Sequence, residues 1–481
     1  MSRRMRSERR FTLMAGILVV LPTLVLSACS GGSGSVQTPT TPASNAQPGA
    51  TNVQVNMGDA PSDRVAAFAM TINSMTFTNS GGSAVTVVSS PTPLEMVRLM
   101  GTLQPLAMVS IPQGTYTQAT MSLAGMTVTY MDPVSKLPVS KTVPGTTATV
   151  NFSPAMTIGA TPVVMNFDMD MASSVSIDAS GNVTVNPTIR MTPGTVGSGT
   201  SQQPENGGME HVFGSVASVS GNSFTMSAMQ GAQTMTFATN SNTHFDNLSG
   251  MGMMSNGMLV MVDAVMQPDG TLLAQEVKSL MTTMGGMMAQ GMLTGITGNP
   301  PAQLTIMAQN GAGAGMMPSV LANGIAINIG AGTPFVIDSD GVDLSGLPFT
   351  PKFDATSISM GQLVQAETGQ TSMSAGMGSM GGMMMAGTMT ASEIDLEQQG
   401  LRGTVGGYTP NGSRASFTLT LPADAAFATL TGATAVTVFQ QPGTTLSGLS
   451  SVANGATVEV RGLVFLDGGA YKMVASRIMA P

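Results

Sequence analysis

Between Gly214 and Ile478 one set of landmarks recurs three times in the same order. Gly214-Ser215-Val216 with Phe224-Thr225-Met226 returns as Gly295-Ile296 with Leu304-Thr305-Ile306, and again as Gly403-Thr404-Val405 with Phe417-Thr418-Leu419. Thr243-His244-Phe245, Thr333-Pro334-Phe335 and Thr437-Val438-Phe439 come next, and Leu-Ser-Gly triplets follow at Leu248, Leu344 and Leu446. Each copy continues through Gly257-Met258-Leu259-Val260, Gly361-Gln362-Leu363-Val364 or Gly455-Ala456-Thr457-Val458. Each closes on Leu273 to Val277, Thr390 to Ile394 or Val474 to Ile478. Landmarks kept in order across tandem copies require a repeated supersecondary unit. Five or six short strands per copy are enough to close a small barrel of the OB type.

Ahead of the repeats, residues alternate with the period of strands. Val53, Val55 and Met57 fall on one side with Gln54 and Asn56 opposite, and Asp59-Ala60-Pro61-Ser62-Asp63 breaks the run. Further strands are expected at 67–77, 84–88, 115–122, 126–130, 147–152, 163–169, 174–177 and 183–191, separated by Gly, Pro and Asn turns. Such spacing predicts an antiparallel β-sandwich. The expected fold class is therefore all-β: an N-terminal antiparallel β-sandwich followed by three small OB-like β-barrel repeats.

The first residues address the chain elsewhere. Arg3, Arg4, Arg6, Arg9 and Arg10 precede the apolar run Phe11 to Val25, which Pro22 interrupts and which is too short for a stable span. This is a signal peptide. Leu26-Ser27-Ala28-Cys29 resembles the lipobox of bacterial lipoproteins, which implies cleavage before Cys29 and a diacylglycerol on its sulfur. Cys29 is the only cysteine, so no disulfide forms within the mature chain. Two or more acyl chains, at roughly 0.8 kcal/mol per buried methylene, anchor stably. Ser30 stands where aspartate would be the inner-membrane retention signal of enteric bacteria. By that resemblance the protein is expected in the cell envelope as an outer-membrane lipoprotein.

Composition narrows the partners. Removing five Arg and one Glu with the leader from 17 Lys+Arg and 25 Asp+Glu leaves 12 against 24, a net charge of −12. Without basic clusters, and with no Trp and 4 Tyr, nucleic acid is not an expected partner. The expected organisation is signal peptide 1–28, flexible tether 29–51, sandwich 52–193, linker 194–210, first barrel 211–280, second barrel 281–398 with Gly/Met-rich insertions, and third barrel 399–481.

The sandwich segment also resembles a known family. The stretches VQVNMGDAPSDRVAAFAMTINSMTF, IPQGTYTQATMSL, VVMNFDMDMASSV and NVTVNPTIRM are similar to domain of unknown function forty-three eighty-two, and the repeats resemble domain of unknown function fifty-six sixty-six. Neither implies an activity.

Chemistry has few places to reside. His211 and His244 are the two histidines, and no nucleophile elbow, P-loop or zinc-ligand spacing occurs, so no enzyme is expected. Asp59, Asp63, Asp168 and Asp170 are candidate calcium ligands, against the simpler reading in which Asp59 forms an Asx-type turn before Pro61 and the others sit at a solvated edge. The unusual feature is 45 methionines. Met251, Met253 and Met254, then Met284, Met287 and Met288, then Met377, Met380, Met383, Met384 and Met385 cluster among glycines. Thioethers select Cu(I), so copper is the candidate cofactor, with His211 and His244 as supplementary ligands; flexible core filling or oxidant absorption explains the same residues. The expected function is a membrane-anchored, non-catalytic binding or structural display module, with Cu(I) binding or oxidant buffering as the alternative. Its protein or glycan ligand is not named by the sequence.

Overall fold

The computed structural model describes residues 49–60, 64–197, 201, 207–228, 234–280, 287–312, 324–339, 341–368 and 389–480. Strands dominate them, and the helices Met171–Ser174 and Ala426–Thr431 are short.

The first domain is a two-sheet sandwich. One sheet runs Ile189–Gly194, Val163–Asp170, Ala50–Ala60, Leu103–Pro112; the other runs Ala84–Val88, Val65–Asn79, Gly114–Met131, Pro138–Val143, with Thr92–Glu95 and Thr146–Ile158 also paired to it. Apart from one parallel pair, Ala50–Ala60 beside Val163–Asp170, its ladders are antiparallel. Inward residues interdigitate around an aromatic cluster in which the Phe77 ring lies 5.8 Å from Phe152, 5.9 Å from Phe167 and 6.2 Å from Tyr116. Two differences from the expected strands have local causes. Thr115–Ser122 and Met126–Tyr130 belong to one long strand, because Gly125 takes φ +56° and lets the ladder continue through a kink. Leu103–Pro112, unforeseen because it contains Pro105 and Pro112, is an edge strand, where a missing N–H is tolerated.

Gln54 and Asn56, on the face opposite Val53 and Val55, are as buried as those two. Their face of the sheet is covered by the first barrel, whose core takes in Val164 and Met108 from the sandwich. Two amide hydrogen bonds run along this row, Gln54 Nε2 donating to Asn56 Oδ1 (2.9 Å) and Asn56 Nδ2 to Asn166 Oδ1 (2.9 Å), while Gln54 Oε1 is buried without a partner.

Three closed five-stranded barrels follow. In the first, Gly208–Ser220, Ser223–Ala228, Thr234–Ala238, Leu272–Ser279 and Leu259–Met266 close in that order. In the second the order is Met287–Thr297, Gln303–Ala312, Ile325–Ile329, Met389–Leu396 and Leu363–Thr368. The third follows the same path through Gln399–Asn411, Arg414–Thr420, Ala435–Ser447, Ala470–Met479 and Thr457–Asp467. A parallel pair between the third and last strands closes each, which is the OB arrangement. The repeated glycines allow close approach at the first corner. A Cβ on Gly214 would lie 2.6 Å from Ser227 O, and one on Gly403 2.4 Å from Thr420 O.

One landmark is corrected. Thr243 Oγ1 donates to Ala274 O (2.8 Å) and Thr333 Oγ1 to Ala391 O (3.0 Å); in the third barrel the equivalent donor is Thr444, to Ala475 O (2.7 Å), and not Thr437. Thr437 pairs with Lys472 earlier in the ladder. A register shift between Gln440 and Thr445 fuses two strands that are separate in the other barrels, which hides the match.

Candidate functional site

The four β-units pack as a closed circuit. The sandwich meets the first barrel through Val164, and Phe213, Met261 and Leu280 of the first barrel pack on Met288 of the second. Leu463, Phe465 and Val474 of the third barrel enter the core cluster of the second. The third barrel returns to the sandwich, where Gly400 lies so close to Met100 that a Cβ would overlap its sulfur, and where Arg64 pairs with Asp424 at 2.9 Å. Ala66, Met131, Met292, Met307 and Ala426 form a small core contributed by three of the units.

Basic side chains converge at the centre of this circuit. Arg98 sits on the short turn Val97–Leu99, whose start is fixed by Glu95: its Oε2 accepts from Arg98 N (2.8 Å) and its Oε1 from Phe68 N (2.7 Å). Burial pushes Glu95 up to about 7, although those amides and the Arg98 guanidinium oppose the rise. The Arg98 guanidinium donates to Gln104 Oε1. Arg461 Nη1 donates to Met100 O (3.2 Å) and Arg477 Nη1 to Gly101 O (3.3 Å), so two strands of the third barrel grip one loop of the sandwich. Glu210 of the first barrel reaches the same loop, accepting from Thr102 Oγ1 at 3.3 Å, with Arg461 Nη2 at 4.0 Å. Burial lowers both Arg98, to about 10, and Arg461; Glu95 and Glu210 oppose this, while Arg461 adds to the lowering at Arg98.

A cavity of about 70 Å³ lies here, lined by Arg98, Arg402 and Arg461 together with Gln398, Gln399 and apolar side chains such as Met292 and Phe427. Gln399 is fixed in its wall, accepting from Leu363 N (2.7 Å) and donating to Gly361 O (3.0 Å). A smaller cavity of about 30 Å³ on the other side of Arg461 is lined by residues of all four units, including Gly101, Glu210, Gly341, Gln398 and Arg477.

A second buried polar cluster ties the first two barrels. Lys278 Nζ lies 3.6 Å from Asp395 Oδ2. Burial pulls the lysine down, but Asp395, Asp338, Glu397 and Glu367 outweigh it and hold the ammonium protonated. Burial pushes Glu397 up to about 8 and Glu367 to about 7, with the surrounding carboxylates adding and Lys278 opposing.

The residues singled out from sequence are dispersed. Cys29, Asp63, Met284, Met377, Met380, Met383, Met384 and Met385 lie outside the described residues, as do the side chains of His211 and Met287. Met254 and Met288 are buried in apolar clusters, Met251 packs against the first barrel's core, and Met253 and His244 are exposed. Asp170 caps the helix Met171–Ser174, accepting from Ser173 N (2.9 Å) and Oγ (2.7 Å). Asp59 is buried without a hydrogen-bond partner, and burial first, then Asp168 and Glu95, raise it well above the usual carboxylate range. Burial and Asp170 lift Asp168 to about 6. Among the described residues no three His, Cys, Asp or Glu side chains come together in a way that could hold a metal ion.

The central arginines went unseen because Arg98 and Arg461 are brought together only by tertiary packing. The available signal was a charge set in an apolar run, as in Val458-Glu459-Val460-Arg461-Gly462-Leu463-Val464.

Two family models match parts of the chain. Residues 50–187 match one Domain of unknown function (DUF4382), and residues 213–278 match another (DUF5666), the sandwich and the first barrel respectively. No curated protein matches the chain. Among solved structures, "drosophila Unr CSD456" is 12% identical over 55% of this chain and 94% of that one, with a TM-score of 0.12. A "multidomain protein with nucleic acid binding domains from streptococcus pneumoniae tigr4" is 11% identical over 55% of this chain and 72% of that one, with a TM-score of 0.11. Superposition this poor supports no inference about ligands.

Proposed function

We propose that the protein is a non-catalytic outer-membrane lipoprotein, anchored by acyl chains on Cys29, whose sandwich and three barrels act as one binding or structural display module. The observation that carries this reading is the circuit of buried junctions, in which Arg461 and Arg477 of the last unit hold Met100 and Gly101 of the first. Four independent beads would present flexible surfaces; units closed on one another present a fixed one. Cys29→Ser should release the protein from the membrane fraction or leave it as uncleaved precursor. Mature-sized Cys29→Ser protein that stays with membranes through a salt wash overturns acyl anchoring.

The second reading is Cu(I) handling, favoured by the density of methionine in Met373 to Met389. A peptide of that segment should bind Cu(I) under reducing conditions and Zn²⁺ more weakly. Binding that survives replacement of Met380, Met383, Met384 and Met385 by Leu excludes those thioethers as ligands.

A further inference from the structure

We propose that the central arginine-lined cavity binds one small oxyanion the size of inorganic phosphate. This goes beyond the anchored-module reading and does not depend on it.

Arg98, Arg402 and Arg461 line the cavity, and no carboxylate is among its described lining residues. From residue 29 onward the chain has 12 basic residues against 24 acidic ones, so placing three of the 12 around one small space concentrates its scarce positive charge. Each of these arginines has an acid as neighbour outside the cavity's described lining: Glu95 beside Arg98, Glu210 beside Arg461, and Glu459 opposite Arg402 in the ladder. The charged and amide residues of its lining are therefore three arginines and the neutral Gln398 and Gln399.

The forks are held by the protein before any ligand arrives. Arg461 is fixed by Met100 O and Arg98 by Gln104, so little side-chain freedom remains to be lost on binding. Planar guanidiniums recognise oxyanions through paired charge-assisted hydrogen bonds, which an ammonium cannot reproduce. Arg98 and Arg461 also repel each other in a buried setting, and an anion between them would offset that repulsion. Size limits the ligand. At about 70 Å³ the cavity has room for several waters or one tetrahedral oxyanion, well below the roughly 300–1,000 Å³ of cofactor-sized sites.

The test is equilibrium dialysis of the purified full chain against radiolabelled inorganic phosphate, at constant ionic strength set with chloride. Saturable binding of about one phosphate per chain is expected. Arg98→Gln and Arg402→Gln should each weaken it by about tenfold or more, a loss on the scale of one charge-assisted bond. Arg402→Lys should recover only part of that loss. Arg414→Gln, which removes an arginine paired with Asp343 outside the cavity, should bind as the parent does. Circular dichroism and a cooperative melt establish that each variant is folded. If the cavity variants do not fold, the parent decides: absence of saturable binding at millimolar phosphate overturns the proposal. Folded cavity variants that bind like the parent also overturn it. Glycerol phosphate should bind more weakly than phosphate; equal binding would assign the site to an esterified head group and overturn the free-ion assignment.

Discussion

Replacing Lys278 by Met tests whether the junction of the first two barrels depends on its buried charge. The side chain is 2% exposed and Asp395 is 1% exposed, at 3.6 Å separation, with Asp338, Glu397 and Glu367 also acting on the ammonium. Methionine keeps the apolar stem and removes the cation paired with Asp395, leaving carboxylates facing one another. Removing one side of a buried pair costs about 3–5 kcal/mol. The cost depends on pH with a definite sign. Glu397, at about 8, and Glu367, at about 7, take protons readily, and losing the cation raises both further, so acid neutralises the stranded charge. In urea unfolding of the full chain, Lys278→Met should lose about 3–5 kcal/mol near pH 8 and less than half of that near pH 5. Adding Asp395→Leu should restore much of the loss, because the unpaired charge is then gone. A loss under about 1 kcal/mol near pH 8, typical of exposed pairs, or a loss that does not change with pH, would refute the reasoning.

The parent protein should itself lose stability as pH rises from about 4.5 to 8, because Asp168 (about 6), Glu95 (about 7), Glu367 (about 7) and Glu397 (about 8) hold protons in the folded state that the unfolded chain releases near its ordinary carboxylate range. Their stabilisation is complete below the unfolded values and lost through the folded ones, so a urea midpoint that climbs across this window contradicts the assignment. Gly462→Ala should destabilise the third barrel by about 1–3 kcal/mol in the same assay, since its Cβ would lie 2.1 Å from Val474 O, a backbone atom that cannot swing away; an unchanged midpoint would mean the strand crossing is looser. Residues 399–481 expressed alone should show a β-type spectrum and a cooperative melt, because Phe417, Leu419, Val436, Val438, Val458, Val460 and Ile478 form a core within that barrel. The same fragment should bind a hydrophobic dye, since Leu463, Phe465 and Val474 lose their cover from the second barrel; a disordered spectrum removes the case for an autonomous core.

Local pattern was enough to determine much of the architecture. Alternation at Val53, Val55 and Met57 marks a strand, and threefold recurrence of glycine, threonine and closing-strand landmarks marks three copies, because pleat and tight corners act on neighbouring residues. Where identity depended on register, pattern failed: Thr437 resembles Thr243 in sequence, but Thr444 makes its hydrogen bond. The outer face of Ala50–Ala60 shows the limit most directly. Alternation places Gln54 and Asn56 opposite Val53, Val55 and Met57, and only docking of the first barrel buries that face and sets Gln54 donating to Asn56. The arginine cavity has the same origin. Arg98 and Arg461 are 363 positions apart in the sequence, and a lone arginine in a strand carries no sign of where its guanidinium will point. The sequence by itself determined strands and copies, both set by short-range periodicity. Tertiary packing alone decided which charges leave water together, because desolvation and Coulomb interaction depend on distance in space and not on distance along the chain.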